Sequence, residues 1–229
     1  MGVSGPGALT ARLDAALRAP GAALLLDLDG TLVDSEPTHR AAFQTYFARR
    51  GWDVTDQMLH AFAGRRGAEV FASVEGPWTG EDPMTLAHEV IACLDVGRYP
   101  AAPVPGAAES VAGWRGAGVP VAVVTSATEA WATAALELLG VADLGVALVT
   151  AELVEVGKPD PAPYRLGAEV LGVDAAACVA AEDTPAGLAA ARGAGVGLVL
   201  GVSTSHDDET LRRAGAHAVV PDLTELVPR

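Results

Sequence analysis

The chain has 229 residues, half of them hydrophobic, and its 29 acidic side chains against 15 basic ones give a formal charge of −14. This acidity argues against nucleic acid or an anionic membrane surface as a partner. The length fits one domain or a core with an insertion. No apolar run is long enough to span a bilayer, and residues 1–7 lack the basic start and apolar middle of a signal peptide. We therefore predict a cytoplasmic protein.

The predicted elements begin with a disordered start over residues 2–7 and a short amphipathic helix. The apolar run 22–26 then predicts a strand that is buried on both faces. No strand-like run follows between Val33 and Pro103, and a proline-rich linker at 100–105 closes this stretch. Helical patterns fill it at 37–50, 55–62, 67–74 and 81–96.

From residue 106 onward, strand patterns alternate with helix patterns. The strands are predicted at 119–124, 146–150, 178–181, 196–200 and 218–220, and the helices at 107–117, 129–139, 161–171, 185–192 and 207–214. This alternation predicts a doubly wound parallel α/β sheet with 218–220 as an edge strand. We predict an α/β core formed by residues 20–34 and 105–229, with an all-helical insertion at 35–104.

Two carboxylates, Asp27 and Asp29, follow the first predicted strand, and Gly30 behind them permits a sharp turn. Residues i and i+2 share a face of a strand, so both side chains can point into the crevice where open α/β sheets bind ligands. Two close carboxylates repel each other, and a Mg²⁺ ion with a bound phosphate relieves that repulsion. For an isolated Asp-x-Asp pair, a strand end with solvated acids is the simpler interpretation.

Two further candidates for phosphate chemistry follow later strands. Thr125 closes the strand 119–124, and its hydroxyl and the N–H groups of the next helix start can bind phosphate, with Ser126 as a second candidate. Lys158 lies between a glycine and a proline that fix its backbone, so its amine is held in a defined place. Taken singly, a helix cap and a surface lysine are the alternatives.

A second acidic pair, Glu182 and Asp183, follows the strand 178–181 and precedes a predicted helix. Oxygen ligands of this kind suit Mg²⁺. The alternative is an acid pair that the dipole of the next helix favours, although that pair does not require a buried strand before it.

In this order, the motifs resemble the four signatures of the haloacid dehalogenase superfamily, most of whose members are phosphohydrolases. The resemblance extends from about residue 22 to the C-terminus. Asp-x-Asp-Gly-Thr-Leu at 27–32 is similar to the first signature, Thr125 to the second, Gly-Lys-Pro-Asp-Pro at 157–161 to the third and Glu-Asp-Thr-Pro-Ala-Gly at 182–187 to the fourth. The insertion resembles the helical cap that many of these phosphatases carry between their first and second motifs.

The resemblance implies a role for each motif. Asp27 is the nucleophile that forms an aspartyl-phosphate, and Asp29 is the general acid and base. Lys158 holds Asp27 and the phosphoryl oxygens as a point charge. Asp183 ligates Mg²⁺ together with Asp27 and the backbone carbonyl of Asp29, and Glu182 lies in the next layer or binds through water. Because dehalogenases lack the second acid of the first motif, Asp29 favours phosphoryl chemistry.

Three residues of the insertion are candidates for substrate binding. Arg65 and Arg66 lie at a turn between predicted helices, and sugar and polyol phosphatases of this family often carry a similar step. One of them can bind the phosphate or the hydroxyls of the substrate. His39 matches a position where β-phosphoglucomutases and several sugar phosphatases place a histidine near the general acid. A solvated turn and a solvated helix residue are the respective alternatives.

We therefore predict a Mg²⁺-dependent phosphatase that acts on a small phosphorylated sugar or polyol as a monomer or weak homodimer. A β-phosphoglucomutase-like transferase is the first alternative, since the two differ in how well closure excludes water. A catalytically silent sugar-phosphate-binding protein is the second, and the intact Asp27 and Asp29 pair argues against it. We also expect the cap to open and close about hinges at 33–36 and 100–105.

Overall fold

A computed structural model describes residues 6–229 of the chain. The strands are Ala23–Leu26 (β1), Val33–Asp34 (β2), Ala102–Pro103 (β3), Val121–Val124 (β4), Ala147–Val149 (β5), Cys178–Glu182 (β6), Leu198–Val202 (β7) and Ala218–Val220 (β8). The helices are Pro6–Leu17 (α1), Glu36–Arg50 (α2), Asp56–His60 (α3), Gly67–Ser73 (α4), Pro83–Ile91 (α5), Ala107–Gly116 (α6), Glu129–Leu138 (α7), Ala162–Val170 (α8), Pro185–Gly193 (α9) and Asp208–Arg213 (α10).

The core is a parallel six-stranded sheet in the order β5-β4-β1-β6-β7-β8. Strand β1 lies in the middle of the sheet, between β4 and β6, and β8 lies at an edge as predicted. The carboxyl ends of β1, β4 and β6 therefore meet at one place, and polar motifs follow all three strands. The predicted α/β fold is confirmed.

Both faces of the sheet are covered by apolar side chains. Alternation along β1 sends Leu24 and Leu26 into one cluster with α1, α6 and α7, and Leu25 into a second cluster with α8, α9 and α10. All four residues of β1 are fully buried. This burial on both sides explains why the strand reads as a continuous apolar run.

The insertion has an apolar cluster of its own, which helices α2 to α5 and the loops between them supply. Trp78 lies at the centre of this cluster and is only 1 % exposed. Its ring stacks on that of Phe47 with centroids 5.6 Å apart, and its indole N–H donates to the carbonyl of Val74 at 2.9 Å. Trp52 packs at the edge of the same cluster. Both tryptophans therefore serve the packing of the insertion.

Some boundaries differ from the predicted ones. The prediction of no strand from Val33 to Pro103 is wrong at its two ends, where β2 and β3 pair antiparallel over two residues each. Strand β7 begins two residues later than predicted, because the N–H of Val196 still bonds the carbonyl of Ala191 in α9 at 3.1 Å. Helix α5 is shorter than predicted at both ends: the side chain of Asp82 caps its start, and the helix ends at Ile91.

The start of the chain is described only in part. Residues 2–5 of the segment predicted to be disordered lie outside the described range, and Pro6 and Gly7 belong to α1. Within residues 6–229, no helix combines the length and the apolarity that a membrane crossing requires.

Candidate active site

The site is built where β1, β4 and β6 end. Asp27 directly follows β1 and donates its backbone N–H to the carbonyl of Ala181 in β6 at 3.1 Å. Thr125 and Asp183 directly follow β4 and β6. The neighbouring Gly30 has a φ of +82°, and a Cβ there would lie 2.0 Å from Asp183 Oδ2. A glycine is needed at this turn because the carboxylate approaches its backbone so closely.

Lys158 is the cation of the site, with only 1 % of its surface exposed. Its Nζ donates to Asp27 Oδ1 and, at 2.6 Å, to Glu182 Oε1. Burial and the charge of Glu182 raise the pKa of Asp27 to about 7, against the opposing effect of Lys158. Burial disfavours the charge of Lys158, yet the carboxylates of Asp27 and Glu182 raise the pKa of the amine above its usual value.

Glu182 is fully buried behind Lys158 and has three hydrogen-bond donors. Besides the lysine, Tyr164 donates its hydroxyl to Oε1 at 2.8 Å and Thr184 donates to Oε2 at 3.2 Å. A Cβ at Gly187 would lie 1.9 Å from this carboxyl group, so the helix start of α9 accommodates Glu182 only with a glycine there. Glu182 thus fixes the position of the lysine, a contact that the sequence did not predict.

Asp183 completes a group of three buried carboxylates. Single oxygen atoms of Asp27, Glu182 and Asp183 lie within 4.8 Å of one another. Burial, then the charges of Asp27 and Glu182, raise the pKa of Asp183 well above its usual value. Its Oδ1 is buried without a hydrogen-bond partner. The positive charge of Lys158 neutralises only one of the three carboxylates. A hard divalent cation would neutralise the remaining negative charge and would give Asp183 Oδ1 a partner.

Asp29 accepts three hydrogen bonds on one oxygen, Oδ1. Ser35 Oγ donates at 2.5 Å, Trp131 Nε1 at 2.8 Å, and His39 Nε2 lies at 3.3 Å. Burial raises the pKa of Asp29, but the contacts with His39, Ser35 and Trp131 outweigh it and lower the pKa below the usual value. The sequence predicted His39 near the general acid and missed the other two donors. A signal for Trp131 existed, because it lies in the first turn of the helix after the Thr125 motif.

A cavity of about 300 Å³ lies between the sheet edge and the insertion. Five predicted residues of the core motifs line it, namely Asp27, Asp29, Thr125, Ser126 and Asp183. From the insertion, His39 and Arg65 line it together with the apolar side chains Phe43, Leu59, Val90, Ile91 and Leu94. His60 and His206, which were not among the candidates from the sequence, also line the cavity. Lys158, in the loop after β5, and Glu182, at the end of β6, do not line it.

The two adjacent arginines of the insertion point to different places. Arg65 lines the cavity, donates to Ser73 Oγ at 3.3 Å and keeps a buried Nε without a partner. Arg66 does not line the cavity; its Nη2 donates to the carbonyl of Val154 at 2.8 Å and its Nη1 to that of Glu155 at 3.2 Å. The structure thus brings Arg65 to the predicted substrate site and takes Arg66 to the core.

The insertion is seated on the core through its Gly64 turn. Ser126 Oγ donates to the carbonyl of Gly64 at 3.0 Å. Gly64 has a φ of +67°, and a Cβ there would lie 2.3 Å from Thr184 Oγ1. Only a residue without a side chain allows the two parts to approach this closely.

Comparison with known proteins gives consistent matches over most of the chain. A family model described as haloacid dehalogenase-like hydrolase matches residues 22–195. Validoxylamine A 7'-phosphate phosphatase of Streptomyces hygroscopicus subsp. limoneus is 39% identical over 203 residues, covering 88% of this chain and 94% of that protein. Fructose-1-phosphate phosphatase of Escherichia coli (strain K12) is 34% identical over 180 residues, covering 78% and 95%. A crystal structure of a hydrolase from Pseudomonas syringae matches with a TM-score of 0.81 at 25% identity, covering 89% of this chain and 95% of that one.

Proposed function

The chain belongs to the haloacid dehalogenase-like hydrolases and is a phosphoric monoester hydrolase, and we propose that it hydrolyses a small phosphorylated sugar or polyol through an aspartyl-phosphate on Asp27. The observation that carries this proposal is the contact of Asp27 with Lys158 at the carboxyl end of β1. Asp29, two residues further along the chain, lines the same cavity as Asp27. A carboxylate held in this way can attack phosphorus.

Divalent metal binding is the first part of the proposal. The buried, unpartnered Oδ1 of Asp183 and the excess of carboxylates over lysine fit Mg²⁺, which prefers oxygen ligands. Asp27, Asp183 and the backbone carbonyl of Asp29 would hold the ion, with Glu182 supporting them from behind through Lys158. When bound, the ion neutralises the charge that the attacking carboxylate and the phosphoryl oxygens bring together.

In the first step, an oxygen of Asp27 forms a bond to phosphorus while the bond from phosphorus to the ester oxygen breaks. Asp29 gives its proton to the departing alcohol. The pKa of Asp29 is low in the free protein, and a phosphate dianion that enters the cavity opposes its ionisation and so supplies the protonated form. Lys158 and Thr125 stabilise the negative phosphoryl oxygens.

In the second step, water attacks the phosphorus of the aspartyl-phosphate and the bond to Asp27 breaks. Asp29 accepts a proton from that water, which restores its protonated state for the next turnover. Inorganic phosphate leaves and the carboxylate of Asp27 is regenerated. The same residue therefore serves as acid and then as base.

The leaving group of the substrate lies in the part of the cavity that the insertion lines. We propose that Arg65, whose buried Nε lacks a partner, binds a hydroxyl or a second anionic group of the substrate. His39 is proposed to bind near the general acid. The apolar side chains Phe43 and Leu94 of the same wall favour a carbon skeleton that presents one apolar face, as a sugar ring does.

The remaining parts of the proposal concern the whole protein. Residues 35–104 act as a cap over the core formed by 20–34 and 105–229, and the cap closes before the chemistry. The protein works in the cytoplasm as a monomer or weak homodimer on a small phosphorylated metabolite. The family relationship supports a small phosphorylated metabolite as the substrate, and the separate apolar cluster of the insertion supports its role as a cap.

The test is phosphate release from a panel of sugar, polyol and nucleotide monophosphates, with Mg²⁺ and with a chelator. We expect release that needs the metal, and we expect Asp27→Asn to lower kcat by at least about 1000-fold because an amide is a poor nucleophile. Circular dichroism and thermal unfolding check that the variant folds. No release from any compound contradicts the hydrolase proposal, and conversion of a hexose 1-phosphate with a bisphosphate primer then identifies a mutase instead.

A further inference from the structure

We propose that two cap residues, Arg66 and Glu69, are positioning residues for Lys158. They hold the segment 154–157, which leads directly into the lysine, and so place its amine against Asp27 when the cap is seated on the core. The kinetic part of this inference rests on the proposed function, whereas the contacts themselves do not.

Three hydrogen bonds join the cap to this segment. Arg66 donates to the carbonyls of Val154 and Glu155 at 2.8 and 3.2 Å, and Glu69 Oε1 accepts from the backbone N–H of Gly157 at 2.8 Å. The Nη1 of Arg66 also lies 3.4 Å from Glu69 Oε1. The exposed fractions of the Arg66 and Glu69 side chains are 16% and 29%, so water competes little for the pair.

The glycine at position 157 allows this segment to pack closely against Arg66 and Glu69. A Cβ at Gly157 would lie 3.0 Å from Arg66 Nε and 3.1 Å from Glu69 Oε1, closer than side chains usually pack. The carbonyl of Gly157 accepts from the N–H of Asp160 at 3.0 Å, which closes a turn around Lys158. Holding the N–H of Gly157 therefore fixes the backbone at one end of the turn that carries the lysine.

Placement of this lysine matters because its amine touches two carboxylates at once. Nζ bonds Asp27 and, at 2.6 Å, Glu182, and the side chain is buried throughout its length. A lysine has a long, flexible stem, so its amine is only as well placed as its backbone. Displacements near 1 Å at a reacting group lower rates by about 100-fold. A seated cap would thereby complete the phosphoryl site as well as cover it.

The experiment compares Arg66→Met and Glu69→Ala with the parent protein, and Glu69→Gln serves as the conservative variant. We expect Arg66→Met and Glu69→Ala to lower kcat by about 10- to 100-fold with KM changed less than about threefold, because the reacting group moves while the cavity wall stays. Glu69→Gln keeps an oxygen for the N–H of Gly157 and should recover most of the loss. The double variant should lose less than the product of the two single losses, since both residues hold one segment.

Hydrogen exchange of the peptide that contains residues 154–158 provides a readout that needs no turnover. We expect faster exchange at Gly157 and Lys158 in Arg66→Met and Glu69→Ala without ligand, with thermal unfolding within about 2 °C of the parent. Glu75→Gln and Arg98→Met, at exposed positions of the cap, are the matched controls. Unchanged exchange at Gly157 overturns the proposal even if no substrate is found. A raised KM at unchanged kcat also overturns it, because that pattern indicates a substrate-binding residue.

Discussion

At the scale of single residues, the hydrogen-bond partners of Asp29 set the orientation and the pKa of its carboxyl group. Its Oδ1 accepts from Trp131 of the core and from Ser35 of the insertion, and it contacts His39 of the insertion. Three contacts on one oxygen fix the orientation of the carboxylate, and we propose that Oδ2 faces the substrate. The lowered pKa keeps this carboxyl group ionised in the free protein, and in the proposed mechanism substrate binding favours its protonated form.

The indole of Trp131 can be tested by Trp131→Phe, which keeps an aromatic ring and removes the N–H. We expect kcat to fall about tenfold, in line with the loss of one hydrogen bond to a charged group. The lost donor lowers the pKa of Asp29, so that pKa rises in the variant. In the proposed first step Asp29 must be protonated in the substrate complex, and the alkaline limb of the kcat profile therefore moves to higher pH. A pH–rate profile from pH 5 to 8.5 measures both effects.

Trp114→Phe is the matched control for this prediction. Trp114 also donates its indole N–H, at 2.6 Å from the carbonyl of Leu226, but it is buried in the core cluster and does not line the cavity. That variant should lower the free energy of unfolding and leave the alkaline limb of the kcat profile in place. An unshifted limb in Trp131→Phe would show that the indole does not set the ionisation of Asp29.

At the scale of elements, the carboxyl ends of the strands position the side chains of the candidate site. The edge strands, which have only one neighbour, depend on additional hydrogen bonds to stay attached to the sheet. Strand β8 is an edge strand of three residues, and His217 before it adds two bonds to β7. The backbone N–H of His217 donates to the carbonyl of Val199 at 2.8 Å. The imidazole Nδ1 of His217 accepts from the backbone N–H of Val199 at 2.9 Å. The second bond requires an unprotonated Nδ1.

The stability of this edge should depend on pH through His217. Burial and the charge of Arg192, whose Nη1 lies 2.7 Å from Nε2, lower the pKa of the imidazole below its usual value of 6.5. The unfolded chain then binds the proton first, so the free energy of unfolding falls as the pH drops through about 6.5 and levels off below the folded pKa. His217→Asn keeps an oxygen acceptor for Val199 without a titrating group.

We expect the free energy of unfolding in urea to fall less between pH 7.5 and pH 5 in His217→Asn than in the parent. The effect is small because the imidazole is largely exposed. Carboxylates elsewhere contribute equally to both proteins and cancel in the comparison. Equal pH dependence of the two proteins would show that His217 titrates alike in the folded and unfolded states.

At the scale of the whole molecule, the apolar cluster of the insertion and one of the two core clusters border the cavity, through residues such as Phe62 and Trp131. The two chain connections between the parts run side by side as β2 and β3. This arrangement places the predicted hinges at 33–36 and 100–105 together, which suits rotation of the insertion as one body. The opening and closing motion itself stays a prediction.

The seating of the cap can be tested by Gly64→Ala. The added Cβ would meet Thr184 Oγ1, so the cap can no longer approach the core as closely. We expect kcat/KM to fall by about 100-fold or more, because in the proposed mechanism the insertion excludes water and brings His39 and Arg65 to the substrate. The free energy of unfolding should fall by about 1–2 kcal/mol, since alanine is strained at positive φ.

Gly51→Ala separates the contact from the backbone strain. Gly51 also lies in the cap, its φ is +66°, and a Cβ there would meet nothing within 4 Å. This variant should show a similar loss of stability with nearly parental kcat/KM. Equal activity losses in the two variants would mean that strain, and not the approach to Thr184, explains the effect.

The sequence by itself determined the parallel sheet, the strand ends and the order of the four motifs, because these follow from apolar patterns and turn residues over short stretches of chain. Asp27, Thr125 and Asp183 could be placed at one edge of the sheet for the same reason. The ends of strands and helices were predicted less accurately. Strand β7 is an example, because the N–H of Val196 in the preceding loop still bonds the end of α9.

Only the tertiary structure decided which side chains meet. Trp131 and Asp29 are 102 residues apart in the chain, and no local pattern brings an indole to a carboxylate over such a distance. Arg65 and Arg66 are neighbours of the same type, yet one lines the cavity and the other binds the core. Their directions follow from how the cap packs against the sheet, and such long-range packing depends on the whole chain at once.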